Sequence, residues 1–365
     1  MKNCKKSMLS VLMLTLATLV AAPAFAAPKY SFKLAHVITA GTPIDAGAKK
    51  YAELVGQRTN GQVEIKVFPA GQLGGERAVI EGVQLGTIES TFATTGAIAG
   101  FAPEFQVLDL PFLFPTYEAA YTYLDGEQGK KLLALLDRKG IHGVVFLENG
   151  WRNFTSSKRE IKMPADLKGQ KIRVMESPMY MGLISTLGGS PTPMAYPELP
   201  NALLQKVIDG QENPSVNIYS AKMFESQPWM TQDQHTYNVM IMMVNKKKWN
   251  ALPADIKKIM EDTAVEVSAF QRKLNRECDD DFIAKLKTKG MKVHVLTNAE
   301  RNAFEKALLP MYEKGRTIAG KNWVDDAEKF RKDWDAGKYK VQEQKYVADF
   351  KKINVPVKET MANFK

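Results

Sequence analysis

Residues 31 to 68 constrain the fold more than any other stretch. Ser31 to Val37 and Val63 to Phe68 alternate polar and apolar side chains at the strand period, and Pro43 to Arg58 between them carries Ala48, Tyr51, Ala52 and Val55 at helical spacing. Strand, helix, strand is a βαβ unit, so the expected class is α/β. A secretory signal is expected over residues 1–26: Lys2, Lys5 and Lys6 form a basic start, Met8 to Ala22 an apolar core too short to span a membrane, and Ala24-Phe25-Ala26 a small-x-small cleavage site. The 339 residues that follow exceed one comfortable core, and two lobes are the expectation.

The lobes need connections. Gly140 to Leu147 reads as a buried strand, and beyond Trp151-Arg152 the composition turns polar through Ser156, Ser157, Lys158 and Arg159, which places a first crossing there. Pro200 to Gly210 reads as helix. Thr236 to Asn245 is a second long apolar strand that returns the chain, and two crossings make a hinge. The helix from Pro253 toward Lys289 is long enough to lie along both lobes.

Composition and motifs exclude several functions. The net charge of +10 falls to +7 without the three signal lysines, and the remaining lysines are interspersed with acids, so nucleic acid is not an expected partner. Only Cys278 remains outside the signal, so no internal disulfide is expected; it sits between Glu277 and Asp279, a setting that blunts a thiolate. His36, His142, His235 and His294 lack metal-ligand spacing. Gly41 to Lys50 lacks the ending of a phosphate loop, and no Gly-x-Ser-x-Gly elbow occurs. No metal, no cofactor and no catalytic residue is expected.

Two segments point to anion capture instead. Lys171-Ile172-Arg173-Val174 alternates as a strand, with Arg173 able to present a guanidinium fork to a carboxylate or sulfonate. Asn213 precedes Pro214, which biases it to extended backbone and leaves its amide free for a ligand. Thr94 and Thr95 end a strand beginning near Glu89 and could offer hydroxyls, and His36 closes the first strand with its ring within reach of a cleft, although a satisfied structural histidine is the better account of it. Taken alone, Arg173 is better explained by a local ion pair, for instance with Glu176.

Six landmarks in order change that balance: Gly71 to Arg77, Leu110 to Phe114, Asn149 to Arg152, Asp166 to Val174, Pro191 to Met194, and Asp209 to Pro214. Together they resemble the DctP-like solute receptors of tripartite ATP-independent periplasmic (TRAP) transporters, over nearly the whole chain after the signal. The resemblance implies a two-lobed periplasmic binding protein fold with a hinge and a long lobe-spanning helix. It implies that Arg173 fixes the acid group of a ligand, that Arg152 is a second arginine of the site, that Asn213 hydrogen-bonds the acid, that Tyr196 packs over it, and that Glu76 lies near the pocket. Glu212 and Asp209 are expected to stabilise the turn and helix start after Pro214.

The partition that results is a signal peptide at 1–26, lobe I at 27–150 with about 240–280 returning to it, lobe II at 151–239 with part of 281–310, and C-terminal helices at 311–365 bracing the hinge. The function implied is a monomeric periplasmic receptor that delivers a small organic anion to a small and a large membrane subunit. The ligand is a carboxylate such as a C4-dicarboxylate or uronate, or a sulfonate such as isethionate. The alternative is an exported α/β enzyme acting on a carboxylated substrate, with only His36, Glu76 and Tyr196 to serve it.

Overall fold

The structure, a computed structural model, describes residues 27–361; the expected signal peptide lies outside the described residues. Nine strands form one sheet: β1 (Tyr30–Ala35), β2 (Val63–Phe68), β3 (Ser90–Thr94), β4 (Ile141–Ser156), β5 (Lys171–Val174), β6 (Ser190–Pro193), β7 (Gly210–Asn213), β8 (Trp229–Asn245) and β9 (Lys292–Val295). Their order is β2-β1-β3-β8-β4-β7-β5-β6, with β9 beside β8. At one end β1 runs parallel to β2 and β3; at the other β5 runs parallel to β6 and β7. The two parallel groups are joined by the antiparallel pair β4 and β8, and this α/β fold is two-lobed.

The first βαβ unit forms where the pattern placed it. Helix α1 (Pro43–Arg58) starts at Thr42, whose hydroxyl accepts from Asp45 N, with proline in the first turn and Arg58 in the last. Its apolar stripe of Ala48, Tyr51 and Val55 is buried against the sheet. Helix α2 (Glu76–Leu85) follows β2 and leads to β3.

Three boundaries differ from the expectation, each for a local reason. The apolar run from Gly140 does not end at Leu147: β4 continues through the polar residues to Ser156, because β8 pairs with it along its length. The chain therefore crosses between lobes inside a strand, and the irregularity is confined to three register shifts, at Gly143/Val145, Glu148/Gly150 and Arg152/Phe154. Likewise β8 begins seven residues before Thr236. The helix expected over Pro200 to Gly210 stops at Leu204, since Lys206 takes a left-handed backbone (φ 59°) that no helix continues.

The long helix Ala254–Thr288 spans about 52 Å at 1.5 Å per residue. Near its start Tyr51 Oη donates to Met260 O (3.3 Å) and Arg58 Nη1 to Thr263 Oγ1 (3.0 Å), which ties it to α1. At its middle Gln271 accepts from Glu148 N (2.9 Å) and donates to Glu148 O (2.8 Å), so one amide satisfies both backbone groups at the β4 bulge. Further on, Ser215 Oγ donates to Asp279 on the helix, from the short helix after β7. Among the described residues no helix is long and apolar enough to cross a membrane.

Gly150 sits at the central bulge with φ 120°, and a Cβ there would stand 3.2 Å from Asn275 Nδ2 and 3.3 Å from Pro214 Cβ. Gly150→Ala is expected to destabilise the protein by about 1–3 kcal/mol, measured by urea denaturation. An unchanged midpoint would show that the bulge tolerates a side chain and is not a fixed point of the fold.

Candidate functional site

Parallel strands deliver the side chains at their carboxyl ends, where open α/β sheets hold ligands. Val37 and Ile38 follow β1, Thr94 ends β3, Arg173 and Met175 close β5, and Asn213 ends β7; Asn149 and Arg152 on β4, Glu76 at the start of α2, Tyr196 and Asn217 complete the lining of one cavity. About 230 Å³ of space lies between these atoms, solvent at the mouth included, and about 10 Å³ of it is wide enough for the centre of a water molecule. The structure is thus shut around a site that must part to admit an acid of several heavy atoms.

Arg173 is 1% exposed. Its Nε and Nη2 both donate to the carbonyl of Met194 (3.0 and 2.6 Å), which locks the guanidinium plane. Nη1 has no hydrogen-bond partner. Burial and then the neighbouring Arg152 pull its pKa down to about 10, opposed by Glu212 and Glu76, so it remains a cation at neutral pH. A buried cation with an unused donor is an anion site in the literal sense: the missing partner is an acceptor, and a charged one is worth most. The ion pair with Glu176 that Arg173 would otherwise suggest is not among its contacts.

Arg152 stands beside it in a different state. Nη2 donates to Glu212 Oε1 (2.8 Å) and to the Glu212 carbonyl, Nε donates to Oε2, and Nη1 donates to Asn238 Oδ1 (3.3 Å). All three nitrogens are committed to protein groups. Glu212 therefore does not serve the turn after Pro214, as the sequence suggested; it is buried and neutralises Arg152 across the β4–β7 pair. Asp209 is elsewhere too, accepting from Lys171 N (2.7 Å) at the start of β5. Burial pushes the Glu212 carboxyl up, but Arg152 and His235 outweigh it and hold it below the usual range.

His235 completes this group. Its Nδ1 is 2.6 Å from Asp233 Oδ2 and its Nε2 is 3.3 Å from Glu212 Oε2, with the ring stacked on Phe154. Burial would lower its pKa, yet the two carboxylates raise it to about 9. This pair was not singled out from the sequence, where the expected strand begins only at Thr236; Gln234 between the two takes a left-handed backbone (φ 51°).

The other expected residues divide. Glu76 and Thr94 meet at the cavity: Oε1 accepts from Thr94 N (2.7 Å) and Oε2 from Thr94 Oγ1 (2.9 Å). Burial raises the Glu76 pKa, opposed by these bonds and by Arg173 and Arg152. Tyr196 lines the cavity, and its hydroxyl makes no hydrogen bond of acceptable geometry, although Ser220 lies on its flank. Asn213 lines it as well, but its amide is not free: Nδ2 donates to Gln211 Oε1, two residues back on the same strand face. Thr95 and His36 are not among the lining residues. Thr95 Oγ1 donates to Asp109 (2.5 Å), and the His36 ring lies with Nε2 3.4 Å from Asp45 Oδ1 at the start of α1.

Two amides of the lining were not singled out from the sequence. Asn149 lay inside a landmark segment; Asn217 follows Asn213 by four residues across Pro214, a spacing that brings both to one place once the helix starts. Of the large apolar side chains near these residues, Met175 lines the cavity. Trp151 packs edge-on against Tyr117 and Tyr237, and Met179 is in the core. Among the described residues no group of three His, Cys, Asp or Glu is placed to hold a metal ion.

Comparison with known proteins places this geometry. The model of DctP, the bacterial extracellular solute-binding protein family 7, matches residues 34–317. The 2,3-diketo-L-gulonate-binding periplasmic protein of Escherichia coli (strain K12) is 38% identical over 261 residues, covering 72% of this chain and 79% of that one. Among solved structures, the sugar acid binding protein of Advenella mimigardefordensis in complex with galactonate superposes with a TM-score of 0.81 at 35% identity, covering 84% of this chain and 98% of that one. A TRAP periplasmic solute binding protein from Sulfurospirillum deleyianum with bound succinate gives 0.79 at 31% identity, covering 82% and 99%.

The His235 shift has a signed consequence. A histidine whose folded pKa is raised from 6.5 to about 9 contributes stability that is complete below about pH 6.5 and is lost as the pH rises through 9. Urea midpoints between pH 6 and 10 are expected to fall across that window, and the fall is expected to be smaller in His235→Gln. Equal pH profiles for the two proteins would show that His235 is not held as a cation.

Proposed function

Because this chain belongs to the DctP family of bacterial extracellular solute-binding proteins, we propose that it is the periplasmic receptor of a TRAP transporter and captures a small organic acid. The observation that carries the reading is the unpartnered Nη1 of Arg173, buried in a cavity between the two parallel strand groups. An acid group seated there supplies the missing acceptor, and a guanidinium accepts carboxylate and sulfonate oxygens alike.

The lining comes from both ends of the sheet, Glu76 and Thr94 on one side and Arg173, Tyr196 and Asn213 on the other. A ligand that touches both sides is bound more tightly by the shut form than by an open one, and it shifts the population accordingly. Shutting also removes water, which strengthens each charged contact. In this reading residues 27–150 with about 240–280 form one lobe, 151–239 with part of 281–310 the other, and the helices from 311 brace the hinge. The shut form then docks, as a monomer, on the membrane subunits. Export requires a signal at 1–26, removed before the receptor works. The family consists of solute-binding proteins, which supports a receptor and not an enzyme.

Arg173→Ala is expected to weaken binding of the cognate acid at least a hundredfold, from the loss of about 3 kcal/mol of charged hydrogen bonding, with the unfolding midpoint of the ligand-free protein little changed. Arg173→Lys is expected to lose most of that affinity, because an ammonium cannot keep the bond to Met194 O and meet the acid in one plane. Calorimetric titration and a thermal-shift series read both, a ligand at a hundred times its Kd adding about 2.7 kcal/mol. Near-normal affinity in Arg173→Ala would reject the receptor site described.

A further inference from the structure

The cavity carries more information than the presence of one cation. Asparagine amides have two ends, and which end faces a site is set by the groups behind it. Here the chain of bonds starts at a group that can only donate. Arg152 Nη1 donates to Asn238 Oδ1 (3.3 Å), so that oxygen is the acceptor end. The other end agrees: Asn238 Nδ2 lies 3.2 Å from both Thr95 Oγ1 and Tyr180 Oη, whose own hydrogens go to the Asp109 carboxyl. Asn149 Nδ2 donates to the same Asn238 oxygen (2.7 Å), which turns Asn149 Oδ1 toward Asn217 Nδ2 (3.1 Å). The orientation thus passes from Arg152 through Asn238 and Asn149 to Asn217. Asn217, 1% exposed and part of the cavity lining, is left with an Oδ1 that has no hydrogen-bond partner.

The cavity therefore has two chemical ends. One is the donor Arg173 Nη1. The other is made of acceptors: Asn217 Oδ1, and Glu76, each of whose oxygens takes one bond from Thr94 and keeps a lone pair. Tyr196 Oη, also unpartnered, can serve either. The charges on the lining agree. Arg152 is offset by Glu212, and Arg173 shares the cavity with Glu76, so no second free cation waits for a second acid group among the described lining residues.

Deepening the receptor reading on which it rests, we infer that the site selects a singly charged acid that carries hydroxyl groups, with Asn217 and Glu76 as the residues that read the hydroxyls. A sugar acid or a hydroxyalkyl sulfonate satisfies both ends, its acid on Arg173 and its hydroxyl hydrogens on Asn217 and Glu76. A C4-dicarboxylate does not: its second carboxylate meets the acceptor end, and discrimination arises from that unpaired contact. An unhydroxylated monoacid leaves the buried acceptors unmet.

Calorimetric titration of the purified full-length receptor with D-erythronate, isethionate, butyrate and succinate tests this. At least one of D-erythronate and isethionate is expected to bind tenfold or more tightly than both succinate and butyrate, and which of the two wins tells a carboxylate from a sulfonate. Glu76→Gln, which puts a donor amide among the acceptors, is expected to close the gap between succinate and the preferred acid at least tenfold. Succinate or butyrate binding as tightly as the hydroxylated acids overturns the inference, as does an unchanged ratio in a folded Glu76→Gln, while leaving the receptor reading intact if Arg173→Ala abolishes that binding. Binding of none of the four overturns the inference too, and the receptor reading falls with it only if a wider set of organic acids also gives no thermal shift.

Discussion

The buried pair of Arg152 and Glu212 is the interaction on which the rest of the site depends. It joins β4 to β7 where a hinge strand meets the second parallel group, with neither side chain reaching solvent. Two desolvated charges are tolerable only when they are paired and hydrogen-bonded: Glu212 bonds Arg152 through both oxygens and its carbonyl, and His235 stands at its free edge. Three consequences follow from one pair. It neutralises one of two adjacent guanidiniums, it leaves Arg173 as the cation with an unused donor, and it sets the direction of the asparagine chain that ends at Asn217.

The architecture explains why such a site can open. The lobes are linked by two strands that run through without a break, and two of the three departures from regular pairing lie at Glu148/Gly150 and Arg152/Phe154, beside the cavity. Bulges supply bending where a regular ladder would resist it. The long helix lies across that point and holds it through side chains to backbone, Gln271 at both peptide groups of Glu148 and Asn275 at its carboxylate (2.8 Å). The Glu148 carboxyl also accepts from Tyr121 and Tyr237, so both backbone groups and both carboxyl oxygens of Glu148 are hydrogen-bonded.

What could be read from the residues followed from local physics. The period of two in Val63 to Phe68 and the helical stripe with Pro43 at its start located the helix and second strand of the first βαβ unit to the residue, and its first strand to within two, because each signal depends only on neighbours a few positions apart. The end of β4 could not be read, because what carries Trp151 to Ser156 as strand is pairing with β8, some eighty residues away, against a local composition that suggests loop. Glu212 misled for the same reason: beside Pro214 it looks like a turn residue, and its partner is sixty positions distant. Asn213 lines the cavity, but the bond from its amide to Gln211 depends on rotamers that spacing does not fix.

The sequence by itself determined that this chain is an α/β protein with a strand presenting Arg173, a second arginine nearby and no metal or nucleophile motif, since those are properties of residue type and short-range period. The tertiary structure decided the charge state and direction of the site. Two arginines of the same type became unlike only when Glu212 folded against one of them and a backbone carbonyl met the other, and Asn217 presents an oxygen only because Arg152, three hydrogen bonds away in the chain of contacts, can do nothing but donate. Hydrogen-bond polarity is a property of the assembled network, and no pattern along the chain encodes it.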